Sequence, residues 1–135
     1  MVNHAYTHLP TGDLQAIARL HKWGGEALVR EITAIFLREA PKRLLAARQA
    51  ASVGECVATE RAAHSLKSSS AQLGAPRMQH ISERIEILAA QGQLDPVSSL
   101  IDALETEFAR FVAWMDRTTK MVARPEGQGP GGEEA

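Results

Sequence analysis

Apolar residues along this chain recur three and four positions apart, with almost no two-residue alternation. That period predicts helices and no sheet. The clearest seam is Val97, Ile101, Leu104, Phe108, Phe111 and Met115, whose spacings alternate between four and three. It predicts a helix over about 95–121, capped by Asp95 with Pro96 at its first position. Met78, Ile81, Ile85 and Leu88 predict a second helix, opened by Pro76 and closed by Gly92. A third is expected over 55–73, stopped by Gly74. Leu28, Ile32, Ile35, Phe36 and Leu44 supply the packing side of a fourth, over 26–51, with Pro41 inside it expected to kink or split it. Thr11-Gly12-Asp13 offers capping chemistry for a short helix over 13–22, with apolar positions at Leu14, Ile17, Ala18 and Leu20 and a break at Gly24-Gly25. Four long amphipathic helices with short connections imply an all-α, antiparallel up-down four-helix bundle. The short additional N-terminal helix is expected to pack on one end.

The bundle accounts for residues 13–121, between an N-terminal extension over 1–12 and a Gly/Pro/Glu-rich tail over 122–135. The tail has too little apolar surface to bury and is expected to be disordered. At 135 residues the chain suits a single domain. The net charge is −1 and the pI about 6.5, which gives no electrostatic case for nucleic acid or an anionic membrane. A single cysteine, Cys56, excludes an internal disulfide and suits a reducing compartment, where it is expected to be a buried small side chain. No apolar run approaches the ~20 residues of a membrane span, and the first residues lack a signal-peptide layout, so the expected location is the cytoplasm.

Candidate chemistry concentrates in Ala63-His64-Ser65-Leu66-Lys67-Ser68-Ser69-Ser70-Ala71-Gln72-Leu73-Gly74-Ala75. On a helix, His64, Lys67, Ser68 and Ala71 share one face, while Ala62, Leu66, Ser69 and Leu73 form the packing face. The histidine then points to solvent, with a cation one turn on and only small side chains around it. Imidazole suits the holding of a transferable group near neutral pH, because one ring nitrogen is a free nucleophile. Other arrangements carry less. His4 and His8 are four apart, but their segment is a poor helix with no further ligand and reads as a frayed terminus. Gly127, Gly129 and Gly132 spell G-x-G-x-x-G without a preceding strand. His80 reads as a surface or packing residue, and His21 as a complement to a helix dipole. Ser65, Ser68, Ser69 and Ser70 have no strand-turn-helix elbow and read as small packing residues.

The longer string, His-x-Leu-Lys-Ser-Ser-Ser followed by Leu-Gly-Ala, resembles the signature of histidine-containing phosphotransfer (HPt) domains, the relay modules of two-component signalling. The family commonly reads His-x-Leu-Lys-Gly-Ser/Ala-Ser/Ala, then Leu-Gly-Ala. Ser68 stands at the glycine position, and Phe36-x-x-x-Ala40-Pro41 also resembles the family's pattern. The resemblance runs from about residue 12 to about 118.

It implies a phosphorelay intermediate that accepts and donates a phosphoryl group on His64. Lys67 is expected to screen the phosphoryl oxygens, and Ser68 to govern close approach. Glu86 either belongs to a solvated polar face with Glu83 and Arg84 or bonds the imidazole. Implied partners are response-regulator receiver domains and a hybrid histidine kinase, docking near Leu14, Ile17, Ala18 and Ala71. The first three are equally good core candidates. No P-loop or kinase motif is present, so the chain is expected not to be an enzyme. No cofactor is expected on it, with Mg²⁺ on the partner receiver. A monomer is expected, with no nucleic acid and no membrane. The alternative is an unphosphorylated helical adaptor of the same fold. A metal-binding bundle is weaker, since no Glu-x-x-His pairs recur.

Overall fold

The structure, a computed structural model, describes the backbone of residues 5–123 and the side chains of residues 5–119. His4, and the tail from residue 124 on, therefore lie outside the described residues. A 3₁₀ turn, Ala5–His8, precedes four helices: α1 (Leu14–Ser52), α2 (Cys56–Leu73), α3 (Pro76–Ala90) and α4 (Val97–Ala123). No strand occurs among the described residues.

α1 begins as its sequence predicts. The Asp13 carboxylate accepts a hydrogen bond from the Gln15 N–H at 3.0 Å. The expected break is present: Gly25 leaves helical geometry at φ 70° and ψ −167°, a conformation open to glycine and little else, so α1 consists of a short N-terminal arm and a long helix meeting at a kink. Pro41, by contrast, does not split the helix. It is exposed, as is Leu37, whose carbonyl loses its partner to the missing Pro41 N–H, so water can take that bond.

Gly74 ends α2 in the left-handed region (φ 80°, ψ 51°), and the Ala75 N–H returns to the Ser70 carbonyl at 2.8 Å. The same glycine is a contact point. A Cβ there would lie 2.6 Å from the Ala16 Cβ and 2.8 Å from the Asp13 carbonyl oxygen, while the Asp13 N–H donates to the Gly74 carbonyl at 2.9 Å. The N-terminal arm of α1 is thereby fastened to the end of α2. Pro76 opens α3 as expected. At α4 the cap differs: the Leu100 N–H bonds the Pro96 carbonyl at 3.3 Å, so Pro96, expected as the first helical residue, stands at the capping position and the helix begins at Val97.

Leu66, Leu73, Met78, Ile81, Ile85, Ile101, Leu104 and Phe111 are fully buried. Phe36 joins them, with its ring edge-on to Phe111 at 5.7 Å. Several expected core positions shift by a residue. Ile35 is exposed, because Phe36, Ala40, Leu44 and Ala47 take the inward face. In the N-terminal arm Ala16 and Leu20 are buried, while Leu14 and Ala18 are exposed and Ile17 half-buried. On α2 the inward face is Thr59, Ala63, Leu66, Ser70 and Leu73, with Ala62 and Ser69 only half-buried beside it. Cys56 is half-buried.

The frayed terminus expected around His8 is not found. Tyr6 is buried, and Arg77 holds the segment by donating to the carbonyls of Leu9 (2.7 Å) and Thr7 (3.0 Å). Arg77 also pairs with the buried Glu107 at 3.5 Å, which Arg110 bonds at 2.9 Å. No helix of the described residues is long and apolar enough to cross a membrane.

Candidate functional site

Burial of Ala63 and Leu66 turns the intervening face of α2 outward, and the His64 side chain is 60% exposed. Gly74 stands ten residues after His64 and twelve before Glu86. An antiparallel α2–α3 hairpin folded at Gly74 therefore brings those two positions level. Glu86 lies against the helix pair, its side chain 17% exposed. The His64 Nδ1–H donates to Glu86 Oε2 at 2.7 Å, and the Lys67 ammonium donates to Glu86 Oε1 at 2.6 Å. One carboxylate thus holds both groups.

The geometry decides the imidazole tautomer. An ionised carboxylate only accepts, so the proton sits on Nδ1 and the lone pair of the neutral ring on Nε2. The carboxylate is ionised for a physical reason. The Lys67 hydrogen bond holds the Glu86 carboxyl below its ordinary range, against the opposing effect of burial, and the His64 bond adds to it. Reciprocally, Glu86 pushes the Lys67 ammonium up, helped by the charge of Glu83. Lys67 is therefore ion-paired rather than free.

Beside the histidine runs a groove of about 620 Å³ between α1 and α2. Ile32, Ile35 and Phe36 line its α1 side, and Ser65, Ser68 and Gln72 its α2 side. Sequence reasoning gave Ile32 and Ile35 to the core. The available signal was an apolar stripe too wide at 35–36, where only one of two neighbours can face inward. Ser68 is exposed on this groove, one turn past His64, and Ala71 is exposed further on. Leu14, Ile17 and Ala18 lie elsewhere: with His21 and Lys22 they line a separate surface on the N-terminal arm. That arm meets α2 at Gly74, roughly 15 Å along the helix from His64. The structure therefore joins His64, Lys67, Ser68 and Glu86, and sets the Leu14 group apart. Ser70 is fully buried on the inward face of α2. No group of three His, Cys, Asp or Glu side chains that could hold a metal ion occurs among the described residues.

A sequence profile of the Hpt domain matches residues 31–114, well over half of the chain. None of the curated proteins compared with the chain by sequence matches it significantly. In overall structure it is similar to the crystal structure of histidine-containing phosphotransfer protein B (HptB) from Pseudomonas aeruginosa PAO1. The TM-score is 0.77 and the identity 24%, covering 84% of this chain and 97% of that one.

Proposed function

The chain belongs to the Hpt domain family of phosphorelay proteins, which are phosphotransfer intermediates rather than kinases, and from that premise we propose that its phosphoryl group is carried on Nε2 of His64. The observation that carries this reading is the exposed His64 ring with its Nδ1–H held by a half-buried carboxylate. That arrangement leaves one nucleophilic nitrogen, facing solvent in a fixed tautomer. In transfer from a receiver, the phosphorus–oxygen bond of an aspartyl phosphate breaks, with its electron pair returning to the aspartate. A P–Nε2 bond forms, and the ring takes positive charge that Glu86 compensates. Charge compensation and positioning dominate such loose transition states. Lys67 supplies a cation one turn away. The chain's described residues offer no ion-binding cluster, and we assign the Mg²⁺ of the reaction to the receiver.

The groove beside His64, apolar along Ile32, Ile35 and Phe36 and lined by small serines on α2, is the docking surface in this reading. Ala71 extends it. Leu14, Ile17 and Ala18, on a separate surface of the N-terminal arm, form a second contact in this reading.

The test is incubation with phosphorylated receiver domains, or with the chemical donor phosphoramidate, followed by a search for acid-labile, base-stable label. His64→Gln should abolish the label and leave the melting temperature near wild type, since the side chain is outside the core. Label retained in that variant would sink the assignment. An unphosphorylated adaptor would bind receivers and take no label at all.

A further inference from the structure

We propose that Glu86 sets the lifetime of the phosphoryl group on His64 by keeping the proton on Nδ1 while Nε2 carries phosphorus, so that the site is built to discharge rather than to store. The inference rests on the phosphohistidine reading above and adds a direction to it.

Discharge breaks the P–Nε2 bond, and its electron pair returns to the ring. The acceptor, a carboxylate oxygen or water, forms the new P–O bond. With Nδ1 protonated, the departing group is neutral imidazole. Without that proton it would be imidazolate, a much stronger base and a poor leaving group. Whatever holds the Nδ1 proton therefore controls how readily the bond breaks. The carboxylate 2.7 Å from Nδ1 does this by charge as well as by hydrogen bonding, because the protonated, phosphorylated ring is cationic. An amide at the same place could accept the bond but could not compensate the charge.

Lys67 pushes in the same direction. Its ammonium is bound to Glu86 at 2.6 Å before any phosphoryl group arrives. A phosphoryl group must compete with the carboxylate for that cation, so the charged state holds two anions around one ammonium. The remaining charges near the site lie on all three elements. On α2 itself, Glu60 and Arg61 stand one turn before His64. Across the groove α1 contributes Glu39 and Arg43, and Glu39 is itself paired with Arg38 and Lys42. On α3, Glu83 acts on Lys67. Glu86 is the one carboxylate bonded to the ring among the described residues. It is half-buried and less exposed than Lys67 or Glu39, so solvent screens it less than either.

The experiment charges the whole protein with phosphoramidate and follows decay of the label by ³¹P NMR at mildly alkaline pH. Ring ¹⁵N shifts report the Nδ1 proton. The wild-type phosphohistidine should keep Nδ1 protonated. Glu86→Gln, nearly identical in shape, should lose that proton and hold its label roughly tenfold longer, the order expected for removing one unit charge beside the ring at a partly exposed site. An equal or shorter lifetime in Glu86→Gln overturns the proposal. So does an unprotonated Nδ1 in the phosphorylated wild type, a measurement that needs no variant. Absence of label on wild-type His64 would instead be the failure of the phosphohistidine reading itself.

Discussion

At the scale of single residues, the site is an arrangement of two side chains with one shared partner. His64 and Lys67 are one turn apart on α2, and both reach Glu86 of α3. Lys67→Ala removes the cation and spares the nucleophile, so transfer from a phosphorylated receiver should slow by roughly ten- to a few hundredfold without being lost. Stopped-flow transfer at low salt checks it, and wild-type kinetics there would contradict a screening role. Ser68 tests the docking surface. Its hydroxymethyl group stands on the groove one turn from His64, where the family's usual glycine would leave more room. Ser68→Gln should weaken receiver binding and block transfer, while phosphoramidate, which needs no docking surface, should still label His64. Normal receiver transfer by that variant would mean that the partner does not close over this face.

Among the elements, the turn at Gly74 does two jobs that can be separated. Its left-handed backbone ends α2, and its missing side chain admits Ala16 and Asp13 of the N-terminal arm. Gly54 has the same left-handed sign (φ 79°) but no atom within 4 Å of where a Cβ would sit. Gly54→Ala should therefore cost only backbone strain, about 1–2 kcal/mol. Gly74→Ala should cost that plus about 1–3 kcal/mol of overpacking. Urea denaturation of the two variants gives the comparison, and equal losses would show that the close approach contributes nothing. The α2–α3 hairpin also sets the register of His64 against Glu86, so part of the Gly74→Ala effect should appear as weakened protection of the Nδ1 proton.

Across the whole molecule, the end of the bundle near Gly74 is closed by the N-terminal segment. Arg77 ties that segment's carbonyls to α3 and also faces the buried Glu107 of α4. Arg77→Ala removes two hydrogen bonds and half of the compensation for a buried carboxylate, which should cost about 2–4 kcal/mol. The same variant should release residues 5–10 to limited proteolysis. His64 lies at a distance from this clamp, so phosphoramidate labelling should persist in the folded fraction. A variant as stable as wild type would show that the clamp holds nothing.

Helix number, the seam of α4, the stop at Gly74 and the outward face of His64 were legible because each depends on local spacing: a 3.6-residue period, a glycine able to adopt positive φ, and a ring flanked by small residues. The family signature is equally local, since it lies within a single helix. What only the tertiary structure decided are choices between neighbours with equal local claims. Phe36 rather than Ile35 faces inward because the Phe111 ring lies across from it. Pro41 sits in an unbroken helix because its unpaired carbonyl partner is exposed. Tyr6 is buried because Arg77, 71 residues later, supplies donors to the segment around it. The sequence left two fates open for Glu86, solvated face or imidazole partner. The fold brings it to His64 and Lys67, because that contact depends on how two antiparallel helices align, and a helix's own periodicity carries no information about the register of its neighbour.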